Sequence, residues 1–274
     1  MRQLRQRSIQ PGDVIQHTDL ALAKSVEIIA HRGASHDAPE NTLSSVNLAW
    51  ERDADAVEID VYLSKDRRVV TYHDKTTERI GGRKRATEDQ TLAELRQLDV
   101  GSWKDPKYTG EKIPTLEQIL ETVPDKKRLF IEIKSDERII PVIVPLLKTW
   151  KHSKDRAVVI AFSYDVAEGI KASLPDLPVY WLVAFEQSKD TGQWSPDVEH
   201  VVQKSRAAKV DGINVNACDF VDTQMIKQVR KAGLGFFVWT VNEPEIAHRM
   251  VRLGVDGITT DRPKWLKDRI QATK

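Results

Sequence analysis

Glu58 and Asp60 stand two residues apart in the run Ala56-Val57-Glu58-Ile59-Asp60. Side chains alternate between faces along a strand, so both carboxylates project from the same face. With Val57, Ile59 and Val61 around them, the strand is predicted to be buried on at least one side, where paired anions need a cation. Glu132 and Lys134 repeat the spacing further on, with Ile131 and Ile133 turned the other way. Glu58, Asp60 and Glu132 together make an all-oxygen ligand set for a hard divalent ion, Mg²⁺ or Ca²⁺. No His-x-x-x-His pair and no cysteine pair accompanies them, so zinc suits the set less well.

With a metal satisfied by oxygen, His31 and His73 are free for proton transfer near neutral pH, one taking a proton and the other giving one. Arg32, Lys134, the metal and the amides opening a helix at Thr42 converge as a pocket for an anion, most naturally a tetrahedral phosphate. That combination suits phosphoryl transfer. The chain carries no nucleotide-binding motif, so hydrolysis of a phosphodiester fits better than a kinase reaction. The structural alternatives are plain: core histidines, carboxylates paired with Arg32 and Lys134 in a buried ion network, and Trp239 as packing. Asn214 and Asn216 read as side chains that satisfy loop backbone, and for Asp261 that role and a role in the site both stand open.

These residues need a scaffold that brings distant strand ends together. Val26 to Ala30 is a short apolar run ending at His31-Arg32-Gly33, and a helix follows, capped by Asn41 or Thr42. The Glu58 strand comes next, and Val69 to Tyr72 returns after so short a turn that it must be antiparallel. Residues 74–114 are charged and irregular, with a possible short helix from Leu92 to Leu98. From Pro114 the rhythm is regular. Helices are predicted at Thr115–Val123, Ile139–Trp150, Asp165–Ser173, Val198–Ala208, Asp222–Ala232, Glu243–Leu253 and Arg262–Ile270. They alternate with strands at Leu129–Lys134, Val158–Phe162, Val179–Val183, Gly212–Val215, Gly235–Val241 and Gly257–Thr260. Eight strands each followed by a helix is the pattern of a (β/α)8 TIM barrel, whose active site lies at the C-terminal strand ends. The polar candidates fall at those ends. An open doubly wound sheet would carry a glycine-rich loop after its first strand, and His31-Arg32-Gly33-Ala34 is not one.

The totals exclude little but usefully. In 274 residues, 42 Lys and Arg oppose 41 Asp and Glu for a net charge of +1, so no global field points to nucleic acid. One cysteine, Cys218, excludes an internal disulfide framework, is compatible with a reducing compartment and is predicted to be a small buried residue. No run is long enough for a membrane span, and Leu20 to Ala23 is too short for a signal core. Residues 1–25 read as a flexible N-terminal lead and 26–270 as the barrel, with an insertion at about 62–114 after strand 2. The expectation is cytoplasmic by default, with export open if an upstream signal has been removed.

His31-Arg32-Gly33, Glu40-Asn41-Thr42, Glu58-x-Asp60, His73-Asp74, Glu132-Ile133-Lys134, Trp239-Thr240-Val241 and Gly257-Ile258-Thr259-Thr260-Asp261-x-Pro263 occur in order. In types and spacing the chain resembles the glycerophosphodiester phosphodiesterases from about Ile28 to Trp265. The resemblance implies a TIM barrel with a small insertion after strand 2. It implies a metal held by Glu58, Asp60 and Glu132, acid and base at His31 and His73, and phosphate contacts from Arg32 and Lys134. Glu40 would support the metal site or the glycerol, and Trp239 would wall the pocket. The implied reaction is attack by the glycerol hydroxyl beside the phosphate, giving a cyclic phosphate that water opens to glycerol 3-phosphate, with loss of an alcohol such as choline or ethanolamine. The partner is then a small-molecule glycerophosphodiester. Three other functions are weighed against it: a phospholipase-like enzyme acting on lysophospholipids, which needs an apolar rim; a non-catalytic phosphate-binding barrel; and a Schiff-base aldolase using Lys134, which nearby carboxylates should keep protonated. The basic cluster Arg79, Arg83, Lys84 and Arg85 reads as a solvated loop rather than a greeting for an anionic headgroup.

Overall fold

The computed structural model describes residues 26–272, so the predicted lead at residues 1–25 lies outside the described residues. The chain begins with β1 (Glu27–Ala30), α1 (Leu43–Glu51), β2 (Ala56–Leu63) and β3 (Val69–Thr71). Two short helices, α2 (Glu78–Gly81) and α3 (Leu92–Leu95), lie in the insertion. Next come α4 (Leu116–Leu120), β4 (Arg128–Ile133), α5 (Ile140–Thr149), α6 (Ser153–Arg156), β5 (Ala157–Ala161), α7 (Tyr164–Ser173) and β6 (Val179–Val183). A small ribbon of β7 (Glu186–Gln187) and β8 (Trp194–Ser195) precedes α8 (Val198–Ala207), β9 (Gly212–Asn216), α9 (Thr223–Lys231), β10 (Gly235–Trp239), α10 (Pro244–Leu253), β11 (Gly257–Thr260) and α11 (Pro263–Ala272).

Round the barrel the strands run β1, β11, β10, β9, β6, β5, β4, β2 and back to β1, every pair parallel. This is the closed (β/α)8 barrel that the alternation predicts. Strand parity sorts the core. Ile29, Ala56, Phe130, Val158, Ile160, Tyr180, Leu182 and Phe237 pack inside the barrel, whereas Val57, Ile59, Ile131, Ile133 and Val159 face the helices. Phe130, Tyr180 and Phe237 form the plug, with Tyr180 stacked on Phe237 at 4.7 Å between ring centroids. A Cβ at Gly257 would sit 2.6 Å from the Phe237 ring, so only glycine leaves that ring its place. Each such buried ring contributes about 1.5–3 kcal/mol relative to exposure. Below the plug the inward rows carry the Glu27–Arg128 ion pair at 2.5 Å, and above it they become polar again at the strand ends.

β1 covers only the first two residues of β2, and beyond that point β3 takes the free edge in antiparallel register, Val61 opposite Thr71. The insertion therefore starts at Ser64 rather than at 62, because Tyr62 and Leu63 still belong to β2. It carries a core of its own around Tyr62, Val70, Tyr72, Leu95 and Ile113. It also clamps the loop after β1: Lys104 Nζ donates to the Ser35 carbonyl at 2.7 Å and Tyr108 Oη to that of Asp37 at 3.1 Å.

Most predicted boundaries hold within one or two residues. α4 stops at Leu120 instead of Val123, where Thr122 Oγ1 caps the Ile119 carbonyl at 2.7 Å shortly before Pro124. β10 ends at Trp239 because the chain then leaves the sheet, carrying Asn242 over to Asp261. The β7–β8 ribbon has no counterpart in the predicted elements, since two-residue strands are too short for alternation to show. Cys218 is half-buried rather than buried.

Candidate active site

β1 delivers His31 to the barrel mouth by parity, two residues after the inward Ile29. The next two residues turn sharply, Arg32 at φ 56° and Gly33 at φ 80°. A Cβ at Gly33 would lie 2.5 Å from Ser45, so the position demands glycine on both conformation and space. The turn aims the Arg32 amide at Glu58, donating to Oε2 at 2.9 Å. Asn41, also left-handed at φ 58°, grips Asp60 twice: Nδ2 donates to Oδ2 at 2.8 Å and the Asp60 amide donates to Oδ1 at 2.9 Å. Non-glycine residues reach this region at a cost of roughly 1–3 kcal/mol, which here positions two carboxylates.

β2 and β4 bring the three acids together, Asp60 lying opposite Glu132 in register. Ligand oxygens from Glu58, Asp60 and Glu132 lie within 4.8 Å of one another. Lys134 Nζ is 2.6 Å from Glu132 and 3.6 Å from Asp60, and Arg32 Nε is 3.2 Å from Asp60. Two cations thus face three carboxylates, and among the described residues Glu58 has no ion pair. Its Oε1 is buried without a partner. Burial, with repulsion from Asp60 and Glu132, holds the Glu58 carboxyl well above the usual range. Burial and Asp60 also raise Glu132. A buried acidic cluster short of positive charge, with an oxygen left open, fits a divalent metal better than a closed ion network.

Both histidines are held from behind. His31 Nδ1 donates to Asp261 Oδ1 at 2.7 Å, and His73 Nδ1 donates to Asp74 Oδ1 at 2.7 Å. Ser35 and Asn242 in turn donate to Asp261, at 3.0 and 2.6 Å. Asp261 is held far below the ordinary carboxylate range: its burial works the other way, but the contacts with His31, Asn242 and Ser35 outweigh it. Burial lowers His73, reinforced by Arg32 and Lys134, against the pull of Asp60 and Asp74. Each imidazole therefore keeps Nε2 for the cavity in front of it.

That cavity has a volume of about 110 Å³ and is lined by His31, Arg32, Glu58, His73, Glu132 and Lys134 on one side and by Ile160, Phe162, Leu182, Asn214 and Trp239 on the other, with Thr240 and Thr259 completing the wall. Trp239 meets Phe162 edge-on at 5.6 Å. Phe162 is 45% exposed and Trp103 44%, the only large hydrophobic side chains so exposed among the described residues.

Every predicted site residue except Glu40 lines this cavity or belongs to the acidic cluster beside it. Glu40 lies behind it, its carboxylate accepting from Arg32 Nη1 at 2.9 Å and Arg79 Nη2 at 2.7 Å. Two of the amides opening α1 are already taken: that of Ser45 donates to Thr42 Oγ1 at 3.2 Å and that of Ser44 to Glu111 Oε1 of the insertion at 3.5 Å, with the Ser44 hydroxyl donating to Glu111 Oε2 at 2.5 Å. In the basic cluster Lys84 is exposed, as a solvated loop would have it, but the three arginines are tied down. Arg79 bridges Glu40 and Asp74, Arg83 bonds Gln90, and Arg85 bonds Glu94. Asp261, for which the sequence leaves a backbone role and a site role both open, holds His31. Asp74 and Phe162 drew no role from the sequence, although Asp74 adjoins His73 and Phe162 shares the inward parity of Val158 and Ile160; Asn41, a candidate helix cap, holds Asp60 while Thr42 is the cap.

The model of the glycerophosphoryl diester phosphodiesterase family matches residues 31–265. The chain belongs to this family. It is 34% identical over 242 residues to a putative glycerophosphodiester phosphodiesterase of Bacillus subtilis, covering 87% of this chain and 96% of that one. A glycerophosphodiester phosphodiesterase of Caldanaerobacter subterraneus subsp. tengcongensis is also 34% identical, over 87% of this chain and 95% of its own. Among solved structures, an Oleispira antarctica phosphodiesterase in complex with the product sn-glycerol-3-phosphate superposes with a TM-score of 0.79 at 30% identity, covering 89% of this chain and 96% of that one. As a member of the glycerophosphoryl diester phosphodiesterase family the chain is an enzyme, a phosphoric diester hydrolase. Among its described residues no helix is long and apolar enough to cross a membrane.

Proposed function

We propose that the chain hydrolyses small glycerophosphodiesters to glycerol 3-phosphate and a free alcohol, with His31 and His73 moving the protons. The observation that carries this reading is the pair of aspartate-held histidines opening onto one cavity beside the acidic cluster. Glu58, Asp60 and Glu132 would hold a divalent ion, Mg²⁺ or Ca²⁺ by their donor chemistry, which when bound adds positive charge against the phosphoryl oxygens.

Arg32 and Lys134 bind and orient the phosphate. His73, kept neutral by burial, takes the proton of the glycerol hydroxyl next to the phosphate at Nε2. That oxygen bonds to phosphorus while the bond to the departing alcohol breaks, and His31 supplies the alcohol's proton from its own Nε2. The cyclic phosphate is then opened in reverse: His31 takes a proton from water, and His73 returns one to the glycerol oxygen. Asp261 and Asp74 fix the imidazoles throughout.

Lys134 serves as a cation, not a Schiff-base nucleophile, since its pairing with Glu132 and Asp60 outweighs burial and raises it above the ordinary lysine value. Phe162 is the one exposed large hydrophobic side chain lining the cavity among the described residues, a thin apolar rim that favours a small soluble substrate over a lysophospholipid. Intracellular fractionation tests the cytoplasmic location, which rests on composition alone. The reaction is tested by release of glycerol 3-phosphate from glycerophosphocholine with Mg²⁺, Ca²⁺ or chelator. Release that needs metal and disappears in His31→Ala and Glu58→Ala supports the reading; no turnover with any small glycerophosphodiester removes it.

A further inference from the structure

Asn214 sits on the inward row of β9, flanked in register by Leu182 of β6 and Phe237 of β10. It is 1% exposed, and its Oδ1 is buried without a hydrogen-bond partner. Among the described residues its carboxamide makes no hydrogen bond; only its backbone carbonyl is used, accepting from Trp239 Nε1 at 3.3 Å. A buried amide between apolar neighbours is costly unless something satisfies it, and the opening left to it is the reaction cavity it lines.

The order of strands gives the amide a definite station. β9 is four strands from β2 in either direction round the ring, so Asn214 faces Glu58 from the opposite wall. The cavity thus has a charged half on β1, β2 and β4 and a neutral half whose polar groups are Thr240, Thr259 and the one carboxamide, that of Asn214, which alone among them has a buried oxygen without a partner. Phosphate belongs to the charged half, where Arg32 and Lys134 stand. The neutral half rises from buried Asn214 to exposed Phe162, so the departing alcohol leaves by the aromatic end and the glycerol occupies the deep end. A carboxamide both donates and accepts, as a hydroxyl does, and it carries no charge to bind a phosphate or an ammonium. Of the two glycerol hydroxyls, the one beside the phosphate must lie at His73.

We infer that Asn214 is a specificity residue that binds the terminal hydroxyl of the glycerol half of the substrate. The inference rests on the proposed reaction, and it says which half of the diester the enzyme recognises. Sites built to hydrogen-bond a hydroxyl discriminate strongly against analogues that lack it, because their own polar groups are then stranded.

The test compares glycerophosphocholine with the phosphocholine ester of 1,2-propanediol, which keeps the attacking hydroxyl and lacks the terminal one. The wild type is expected to favour the glycerol compound by about 100-fold in kcat/KM. Asn214→Leu, of similar size and apolar, is expected to lose about that factor on the glycerol compound and stay within about threefold on the propanediol compound, so the preference collapses. Binding of glycerol 3-phosphate against 1,2-propanediol phosphate, by calorimetry, reads the same preference without turnover. Asn214→Ala gives a second variant should the leucine not fold. A wild type indifferent to the terminal hydroxyl, or a variant that keeps the full preference, overturns the inference and leaves the amide holding only water. Failure of the reaction itself is seen separately, as no release from either diester, and the calorimetric preference then still decides the role of Asn214.

Discussion

His31 Nδ1 and Asp261 Oδ1 are 2.7 Å apart across 230 residues of chain, joining the first strand end of the barrel to the last. The contact fixes which imidazole nitrogen carries the proton and leaves the other facing the cavity. Replacing Asp261 by Asn keeps the shape and permits the wrong tautomer, so kcat is expected to fall by about 10²–10⁴ while the fold survives, as for aspartates that orient catalytic histidines. Steady-state kinetics beside a thermal melt checks this; full activity in Asp261→Asn would show that the pair is structural. Asp261 also bears on acid stability. Its folded carboxyl lies below the unfolded value of about 3.9, so its contribution is present above that pH and is lost as pH falls through the folded value.

Arg79 links the two halves of the site from behind. Its guanidinium reaches Glu40 at 2.7 Å and Asp74 at 2.5 Å, and those carboxylates hold Arg32 and His73. A forked, planar cation can serve both partners at once, whereas a lysine ammonium offers one point of charge. Arg79→Lys is therefore expected to act nearly as Arg79→Ala does, each lowering kcat/KM by about 10- to 100-fold with a small change in melting temperature. Recovery of most activity by the lysine variant would reduce Arg79 to a generic surface charge.

These two arrangements mark where the sequence stops being informative. Alternation along β2 and β4 puts Glu58, Asp60, Glu132 and Lys134 in one mouth from spacing alone, because strand parity is local and the barrel aligns all strand ends. The partners that orient the histidines and Arg32 follow no such rule. Asp261 meets His31 only because β11 pairs with β1, and Arg79 meets Glu40 only because the insertion folds back over the loop after β1. Asn214 had the right parity but no visible need, since an unsatisfied amide is recognised only after every neighbour is known. The blocked helix start at Ser44 is the converse case: a sound local expectation defeated by Glu111, 67 residues away.

The acid limb of the pH profile reports on His73. Burial lowers it below the ordinary value of 6.5, so it stays neutral, and able to accept a proton, further into acid than a free histidine. The limb of kcat/KM for the free enzyme is accordingly expected below 6.5, with activity rising as pH climbs through it. Asp74→Asn removes a partner that pulls the other way and should move the limb further toward acid, in addition to lowering the rate. A limb at or above the ordinary value, unmoved by Asp74→Asn, would take the base role away from His73.

Metal should be visible in stability as well as in rate. Glu58 and Glu132 are raised in the folded protein, so without a cation their ionisation is a strain that grows as pH climbs from the unfolded value of about 4.3 through the folded one. A bound divalent ion favours the ionised forms and reverses that loss. Mg²⁺ or Ca²⁺ at about 100 times its dissociation constant then adds about 2.7 kcal/mol, or several degrees in melting temperature. The increment is expected to be larger at about pH 8 than at about pH 5, where protons compete for the same oxygens. Glu58→Gln should melt higher than the wild type in chelator, because one buried charge is gone, and should lose the metal increment together with activity. If that variant is instead less stable in chelator and still gains from metal, Glu58 is a member of an ion network and not a ligand.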